Sequence, residues 1–398
     1  MGAVTWRLGF SVRSCARLYS VCHVVNSEHH LKFLGMVLSP VTLAPNAFKG
    51  TLSPLEAAQA MALGVDMACP NRPVLLRPLP DGGDGTLDVL LPALKAERVH
   101  AQVVDACGRS RLVPFGLLES RQGRVAIIES ATVIGWSQNA SCPFAERTTE
   151  GLGQLISHAL DCGARTLYIG LGGSATCDAG TGLLAALGLR FEGVPKPRLA
   201  TLADVRAINS RQLDHRLPLT KIIVLTDVVN TLLGPLGAAL FAAQKGASAH
   251  DLKTLEARLG GVADRLEAHF GQRARIRPGS GAAGGLGFAL ALLGAHLVRG
   301  APLVARLTGL YRAIAASGLV LTGEGACDGQ TAYGKGPSVV AALARRLGRP
   351  VVLVCGRIEP SFTALAPLFS QCTSLVAGPS PARALSLTVA RILASRKW

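Results

Sequence analysis

The sequence predicts an α/β protein built on parallel sheets, and three observations support this fold class. Short apolar stretches typical of buried strands alternate with longer Ala- and Leu-rich stretches typical of helices. Two strand–loop–helix units follow one another near the start, with strands at residues 40–45 and 74–79 and helices at 53–67 and 87–95. Hydrophobic residues make up 49% and charged residues 17% of the 398 residues, the composition of a packed globular protein long enough for two domains.

Residues 1–40 are predicted to be an N-terminal extension. Residues 1–26 include Arg7, Arg13 and Arg17 and several serines but no acidic residue, which is the composition of an organellar transit peptide. The favoured alternative is a mis-called start with Met36 as the initiator, because Met36 falls just ahead of the first strand. The expected location is then the cytoplasm, or a mitochondrion or another organelle if Met1 is the true start.

The loops after the first two strands carry charged residues at the carboxyl ends of predicted strands. The first contains Lys49, and Ser53-Pro54 then begins a helix with Ser53 as its N-cap. The second reads P-D-G-G-D-G-T and contains Asp81 and Asp84. Both acids are typical N-caps. Because such loops line the binding crevice of an open α/β sheet, a functional role for the three charged residues is also expected.

The sequence pattern changes near His100. Short strands are predicted at residues 103–104, 113–118 and 124–128, with polar breaks typical of hairpins. Glu129 closes the last of them, and a carboxylate after an apolar strand is not buried without a partner or a role.

A glycine-rich loop at residues 170–182, called here the glycine loop, lies between a predicted strand at 164–169 and a helix at 183–189. Gly172 and Gly173 lack the Cβ atoms that would block the approach of an anion to backbone N–H groups. Ser174 and Thr176 add hydroxyl donors, and Asp178 adds a carboxylate suited to Mg²⁺. The alternative is an ordinary turn in which Ser174 or Asp178 caps the helix.

Further candidates follow later strands. Asp227 ends the strand at 221–225, and Gly284 and Gly285 precede an apolar helix predicted at 288–298. For these glycines, close helix packing is an alternative to ligand contact. Glu324 and Asp328 follow the strand at 319–322, and a terminal helix is predicted at 381–397.

Residues 329–335 spell G-x-x-x-x-G-K, the start of a phosphate-binding P-loop. The next residue is Gly336 instead of Ser or Thr, and the strand ends well before Gly329, so a true P-loop is rejected. Lys335 remains a candidate for contacting a phosphate as a point charge.

Composition narrows the expected partners. The net charge is +16, but aromatic residues are only 5% and no basic run carries interleaved aromatics, so an anionic small molecule is expected and nucleic acid is not. The most apolar run, at 286–298, is shorter than the roughly 20 residues of a membrane span. The ten cysteines are scattered without a C-x-x-C pair. Cys162 and Cys355 are predicted to be packed thiols in a reducing compartment.

Five stretches in order carry a family resemblance: A-P-N-A-F-K-G from Ala44, D-G-G-D-G-T from Asp81, G-L-G-G-S-A-T-C-D-A-G from Gly170, G-A-A-G-G-L-G from Gly281, and T-G-E-G-A-C-D-G-Q-T from Thr322. With these motifs the chain resembles the class I glycerate kinases over residues 41–356. It departs from the family pattern at Cys177, Val229 and Ala243, which puts catalytic efficiency and substrate in doubt.

The resemblance implies ATP-dependent phosphorylation of D-glycerate, usually at the 2-hydroxyl, with Mg²⁺ as the metal. It also implies two α/β domains: a discontinuous flavodoxin-like domain at 41–99 and 288–398, and a second α/β domain inserted at 100–287. The active site is expected in the cleft between them. The alternatives are a kinase for another small hydroxy acid and a non-catalytic nucleotide- or acid-binding paralogue. Assembly as a homodimer is left open.

Phosphoryl transfer requires positioning, charge neutralisation and a group that orients or deprotonates the attacking hydroxyl. One of two acids, Asp84 or Asp328, is predicted to accept the proton, with Lys49 as a further catalytic group. The remaining candidates are grouped by role: for phosphate, Gly172, Gly173, Ser174, Thr176 and Lys335; for substrate, Lys49, Asp81, Gly284 and Gly285; for the metal, one or two of Asp178, Asp227 and Glu324.

Overall fold

The computed structural model describes residues 38–327 and 335–395. Most of the predicted N-terminal extension and the candidate Asp328 lie outside the described residues. The strands, in chain order, are β1 (Val41–Leu43), β2 (Val74–Leu76), β3 (Glu97–Val104), β4 (Ser110–Leu118), β5 (Arg124–Glu129), β6 (Ala164–Gly170), β7 (Arg190–Glu192), β8 (Ala207–Asn209), β9 (Lys221–Thr226), β10 (His296–Arg299), β11 (Leu319–Cys327), β12 (Val351–Ile358) and β13 (Gln371–Ser374).

The helices alternate with these strands. The α-helices are Pro54–Ala68, Thr86–Leu94, Ser130–Ile134, Trp136–Asn139, Glu150–Asp161, Thr181–Ala186, Ala249–Phe270, Ala282–Leu292, Gly300–Leu307, Leu310–Ala316, Gly336–Arg346 and Pro381–Ser395. Short 3₁₀ helices are Phe144–Glu146, Leu199–Asp204, Leu217–Leu219, Ala238–Phe241, Ala243–Lys245, Pro360–Ala364 and Ala366–Leu368.

A five-stranded parallel sheet combines the two ends of the described chain, in the order β2-β1-β11-β12-β13. This is the 2-1-3-4-5 order of a flavodoxin-like sheet, with its switch point between β1 and β11. The register pairs Val41 with Val74 on one side and with Leu319 on the other.

A six-stranded mixed sheet has the order β10-β9-β6-β5-β4-β3. Its neighbours from β10 to β5 pair in parallel, and β5, β4 and β3 form antiparallel hairpins, as the polar breaks in the sequence predicted. The strands β7 and β8 form a separate small antiparallel sheet. The α/β fold class is therefore confirmed. The strand β3 begins before residue 100 and β10 lies after residue 287, so the six-stranded sheet includes residues outside the predicted inserted segment. The domain boundaries stay a prediction.

The core fills both faces of the five-stranded sheet. On one face, the helices Pro54–Ala68 and Pro381–Ser395 pack against buried β1, β11 and β12 side chains such as Leu43 and Val354. Gly64 allows this contact, since a Cβ there would lie 2.4 Å from the carbonyl oxygen of Ser386. On the other face, a second cluster joins Val320 and Leu353 to Ile127 and Leu225 of the six-stranded sheet.

Two sequence predictions are wrong in this region. The apolar run predicted as one helix at 288–298 divides into the end of the helix Ala282–Leu292 and the strand β10, because Gly294 adopts a positive φ of 85° between them. Cys355 is not a packed thiol: it forms a disulfide with Cys327, which ends the neighbouring strand β11. None of the helices in the described residues combines the length and apolar character that a membrane crossing requires.

Candidate active site

A cavity of about 800 Å³ lies at the carboxyl ends of β1 and β11, the switch point of the five-stranded sheet. Binding crevices form at this point of an open parallel sheet because the connections on either side of it leave in opposite directions. Three loops that the sequence singled out contribute to its wall, together with a largely apolar segment after β13. The lining residues are Asn46, Ala47, Phe48, Lys49, Thr51, Asp81, Glu324, Gly325, Ala326, Lys335, Gly356, Arg357, Leu375, Val376, Gly378, Pro379, Ser380, Pro381 and Ala384.

Lys49 lies at the tip of a tight turn after β1. The fully buried Phe48 fixes the turn through its backbone, which bonds to the N–H groups of Thr51 and Leu52, and Gly50 supplies the required positive φ of 78°. The chain then enters the helix Pro54–Ala68 with Ser53 as its N-cap, as predicted, and Glu56 completes a capping box with Ser53. The anchored turn therefore presents the exposed Lys49 side chain to the cavity.

Asp81 is held in place by the loop after β1. Its Oδ2 accepts a hydrogen bond from Asn46 Nδ2 at 2.9 Å, and Asn46 Oδ1 in turn accepts from the N–H of Ala47. The following Gly82 adopts a φ of 104° and lies against Leu225 at the end of β9, where a Cβ would come within 2.6 Å of the carbonyl oxygen. Only glycine fits this position, so the loop lies directly against the six-stranded sheet.

Glu129, at the end of β5, caps the helix Thr86–Leu94. Its two carboxylate oxygens accept hydrogen bonds from the N–H groups of Gly85 (3.1 Å) and Leu87 (2.8 Å). Neither Asp81 nor Asp84 caps this helix. Burial raises the pKa of Glu129 to about 7, although the two N–H groups oppose the rise. Because Glu129 accepts the N–H groups at the start of this helix, the Asp84 carboxylate is available for other contacts.

Asp84 and Asp227 respond to the same set of charges. Burial raises the pKa of Asp84, while Lys49 opposes the rise and Asp81 adds to it. Burial also raises the pKa of Asp227, Asp81 adds to that rise, and Lys49 and Lys335 oppose it. The structure therefore brings together five predicted residues from four separate loops. Glu324 is 6% exposed and lines the same cavity.

Asp178, predicted as a metal ligand, is fully buried away from this group. Its Oδ2 accepts from the N–H and hydroxyl of Thr149 and from the N–H of Gly182, and its Oδ1 accepts from the N–H of Gly180. Burial raises its pKa, and these four donors oppose the rise. The carboxylate joins the start of the helix Thr181–Ala186 to Thr149, a structural role that the alternative interpretation as a helix cap had allowed.

The glycine loop is packed more tightly than a phosphate cradle requires. Gly172 donates its N–H to the carbonyl of Gly82 at 2.9 Å, and Gly173 lies against Asp84, whose Oδ1 is 2.6 Å from the position of a Cβ. Ser174 is 7% exposed, whereas the Thr176 hydroxyl is buried without a hydrogen-bond partner in the described part of the chain. Gly173 and Ser174 are therefore the loop residues beside the acidic group.

Gly284 and Gly285 pack against the inner side of the glycine loop and do not line the cavity. Gly284 has a φ of 68°, and a Cβ on it would lie 2.2 Å from the carbonyl oxygen of Thr176. Its own carbonyl accepts from the N–H of Ala179 at 3.0 Å. A Cβ on Gly285 would lie 2.6 Å from the Cα of Ala179. These contacts match the packing alternative for the two glycines.

Three of the acids suit a divalent cation as oxygen donors. Asp81, Asp227 and Glu324 are carboxylates at or beside one cavity, and the charge of Asp81 raises the pKa of Asp227. A cation relieves such repulsion. Among residues 38–327 and 335–395, however, no group of three or more His, Cys, Asp or Glu side chains has the geometry of a metal centre. Mg²⁺ is usually held by one or two carboxylates together with substrate phosphates.

Comparison with known proteins now identifies the family. The sequence model of the glycerate kinase family matches residues 41–396. The chain belongs to the glycerate kinase family. It is therefore an enzyme, and the resemblance read from the five motifs is confirmed.

The relatives cover most of this chain. The glycerate kinase of Bacillus subtilis strain 168 is 38% identical over 330 residues, which are 80% of this chain and 85% of that protein. The glycerate 2-kinase of Escherichia coli strain K12 is 36% identical over 332 residues, again 80% and 85% of the two chains. The crystal structure of a protein proposed to be glycerate kinase 2 of Salmonella typhimurium LT2 superposes with a TM-score of 0.75 at 32% identity, covering 90% of this chain and 98% of that one.

Sequence reasoning missed the residues that hold the site together. Asn46 lies within the first family motif but was not assigned a role, although it fixes Asp81. Lys245 and Arg147 contact the glycine loop from distant parts of the sequence. Asn46 was detectable as a polar residue directly after a buried strand. No sequence pattern marks Lys245 or Arg147 as contacts of the loop, because they bind backbone carbonyls, which every residue has.

Proposed function

We propose that this chain transfers the γ-phosphoryl group of ATP to the 2-hydroxyl of D-glycerate in the cavity at the switch point. The observation that carries the proposal is the set of acids and lysines that line this cavity, namely Asp81, Glu324, Lys49 and Lys335. The charge of Asp81 raises the pKa of both Asp84 and Asp227, Lys49 opposes both rises, and Lys335 opposes the rise of Asp227. Kinase chemistry requires this combination of charges, since the lysines neutralise phosphate and the acids handle a proton and a metal.

Asp84 is the proposed acceptor of the hydroxyl proton. Burial raises its pKa toward the working pH, which improves a carboxylate as a general base. The Lys49 ammonium opposes this rise in pKa and so favours the ionised form that accepts a proton. Asp328, the other predicted base, lies outside the described residues and stays a prediction.

Asp227 and Glu324 are the proposed ligands of Mg²⁺. When bound, the metal neutralises the charge that develops between the β- and γ-phosphates. Asp178 is not carried into this set, because its two oxygens already accept four hydrogen bonds inside the fold.

Lys335, Gly173 and Ser174 are the proposed phosphate contacts. Gly172 is not among them, because its N–H is already bonded to the carbonyl of Gly82. Lys335 precedes the helix Gly336–Arg346 as its N-cap residue, so its charge lies at the positive end of the helix dipole. Thr176 is not proposed as a phosphate contact, because its side chain is buried. Lys49 and Asp81 are the proposed contacts of glycerate, with Lys49 binding the carboxylate.

The 2-hydroxyl is proposed because it lies one bond closer to the carboxylate than the 3-hydroxyl does. A carboxylate held by Lys49 therefore leaves the 2-hydroxyl beside Asp84, whose pKa Lys49 perturbs. The name of the Escherichia coli relative, glycerate 2-kinase, supports this regiochemistry. Cytoplasmic location and a homodimer stay predictions.

The test is a coupled assay of ADP release with D-glycerate, L-glycerate and a panel of sugar acids, each with and without Mg²⁺. D-Glycerate and Mg²⁺ together should give the highest kcat/KM, and phosphorus NMR of the product should show 2-phosphoglycerate. A main product of 3-phosphoglycerate would overturn the orientation, and a higher kcat/KM for another hydroxy acid would overturn the substrate. Absence of ADP release with every acid would leave only the binding alternative.

A further inference from the structure

Two basic side chains, Lys245 and Arg147, contact the glycine loop from outside its own stretch of sequence. The ammonium of Lys245 donates to the carbonyl oxygen of Thr176 at 2.8 Å and to Ser174 Oγ at 3.3 Å. The guanidinium of Arg147 donates to the carbonyl oxygens of Ala175 (3.1 Å) and Lys245 (2.7 Å). The loop therefore rests on two basic side chains that the proposed mechanism has not yet used. Burial lowers the pKa of Lys245, and the nearby Cys177 and Asp178 oppose that fall. A bound anion would favour the charged ammonium in the same way.

Among the residues that the structure describes, neither side chain has a carboxylate partner at bonding distance. All the hydrogen-bond acceptors of Lys245 and Arg147 are carbonyl or hydroxyl oxygens, and neither cation forms an ion pair with any described residue. Asp178, the nearest acid, is occupied by Thr149, Gly180 and Gly182. Because a buried charge is normally paired, a cation in this position is suited to an anionic ligand.

The geometry also leaves donors available at the loop. An ammonium has three N–H donors, and Lys245 uses two of them for protein acceptors. Ser174 Oγ accepts from Lys245, so its own hydrogen is directed elsewhere. Among the described residues, one N–H of Lys245 and the O–H of Ser174 are thus not assigned to a protein acceptor. Ser174 directly follows Gly173, which lies against Asp84 of the acidic group. Two donors on neighbouring groups match the oxygens of a phosphate.

We propose that Lys245 is a phosphate-binding residue of this enzyme, which together with Ser174 holds a phosphate group of the nucleotide at the glycine loop. The inference rests on the proposed use of ATP. Phosphate is favoured over the carboxylate of glycerate, because the proposed contact of that carboxylate is Lys49, whose charge acts on Asp84. Arg147 is a positioning residue that fixes the loop and the backbone of Lys245.

The experiment compares Lys245→Met, which removes the charge but keeps a flexible stem, with Lys245→Arg and with Lys253→Met as the control. Lys253 is an exposed lysine on the helix Ala249–Phe270. Calorimetry measures binding of ADP and of inorganic tripolyphosphate to each protein. Loss of one charge-assisted hydrogen bond should weaken both ligands roughly ten- to hundredfold in Lys245→Met. Lys245→Arg should recover part of the affinity, and Lys253→Met should bind as the wild type does.

Steady-state kinetics distinguish the two anions. The KM for ATP should rise in Lys245→Met while the KM for glycerate changes less than about twofold. A rise in the KM for glycerate with unchanged ADP binding would assign the charge to the substrate carboxylate and overturn the proposal. Unchanged binding of both ligands, with a lowered melting temperature, would show a purely structural lysine. If the wild type itself binds no ADP, the proposed use of ATP fails, and this inference fails with it.

A labelling experiment on the wild-type protein does not depend on the folding of a variant. Amine acetylation followed by mass spectrometry reports the reactivity of Lys245 and Lys253 with and without ADP. Bound ADP should slow the labelling of Lys245 and leave that of Lys253 unchanged. An equal rate at Lys245 in both conditions would contradict the contact.

Discussion

The second loop, residues 81–86, and the glycine loop carry the same sequence signature but use their acids differently. Each follows a strand, is rich in glycine and contains a carboxylate next to a helix. In the second loop Asp84 stays outside the cap of the following helix, because Glu129 binds the amides of Gly85 and Leu87. In the glycine loop Asp178 itself binds the helix amides and is fully buried.

The difference shows that a loop acid is available for function only where a second residue accepts the N–H groups at the start of the helix. A helix N-terminus has unpaired N–H groups that some oxygen must accept. Where a distant glutamate accepts them, the loop acid is free to act on a ligand. Where none does, the loop acid becomes the cap. Sequence position alone does not separate the two cases.

The largest expected effect comes from Asp84→Asn. Removing a general base should lower kcat by about 10²–10⁴-fold, while the melting temperature stays close to that of the wild type. Asp66→Asn, at an exposed position on the helix Pro54–Ala68, is the control for the loss of one negative charge. Rates from the ADP-release assay and thermal unfolding check both statements. A kcat within tenfold of the wild type would remove Asp84 from the mechanism and leave Asp328 as the base.

Asp178→Asn should act on stability instead. The new amide group faces N–H donors where an oxygen accepted them, so the free energy of unfolding should fall by about 3–5 kcal/mol. Urea unfolding measures this loss, and the KM for ATP of the remaining folded protein should be little changed. Unchanged stability together with a kcat reduced by orders of magnitude would restore the metal role first predicted for Asp178.

The sequence predicted more of the fold than of the site. Capping boxes and apolar strands depend on neighbouring residues, so the helix at Ser53-Pro54 and the strand β9 were predicted within a few residues. The rule that strand ends line a crevice grouped Lys49, Asp81 and Asp84. The first two line the cavity, and both act on the pKa of Asp84, while the functional role of the three stays a prediction. Contacts between distant segments left no local pattern.

The unpredicted contacts have a common physical cause. Thr149 occupies Asp178 from 29 residues away, and Cys327 meets Cys355 across two strands. The space that a side chain on Gly284 would need is occupied by the backbone of Thr176. Each depends on how separate elements approach in space, which periodicity and composition do not specify.

The pH dependence of the free energy of unfolding tests the helix cap that Glu129 forms, the cap that leaves Asp84 available. The pKa of Glu129 is raised from an ordinary value of 4.5 to about 7. An unfolded chain therefore releases this proton at lower pH than the folded chain does, and stability should fall as the pH rises from 4.5 to 7. The fall is at most about 3 kcal/mol. Urea unfolding across this range should show a flatter profile for Glu129→Gln than for the wild type. Parallel profiles would mean that Glu129 is ionised throughout.

The smallest expected effect separates packing from ligand contact at Gly284. Gly284 and Gly309 both have a φ of 68°, but a Cβ on Gly309 would meet nothing within 4 Å. Gly309→Ala should therefore lose only the cost of a left-handed alanine, about 1–2 kcal/mol. Gly284→Ala should lose about 1–2 kcal/mol more, because its Cβ would lie 2.2 Å from the carbonyl oxygen of Thr176. The difference in urea unfolding isolates the steric term. If Gly284 contacted glycerate instead, Gly284→Ala would raise the KM for glycerate and match Gly309→Ala in stability, which would place the glycine loop's inner side in the substrate site.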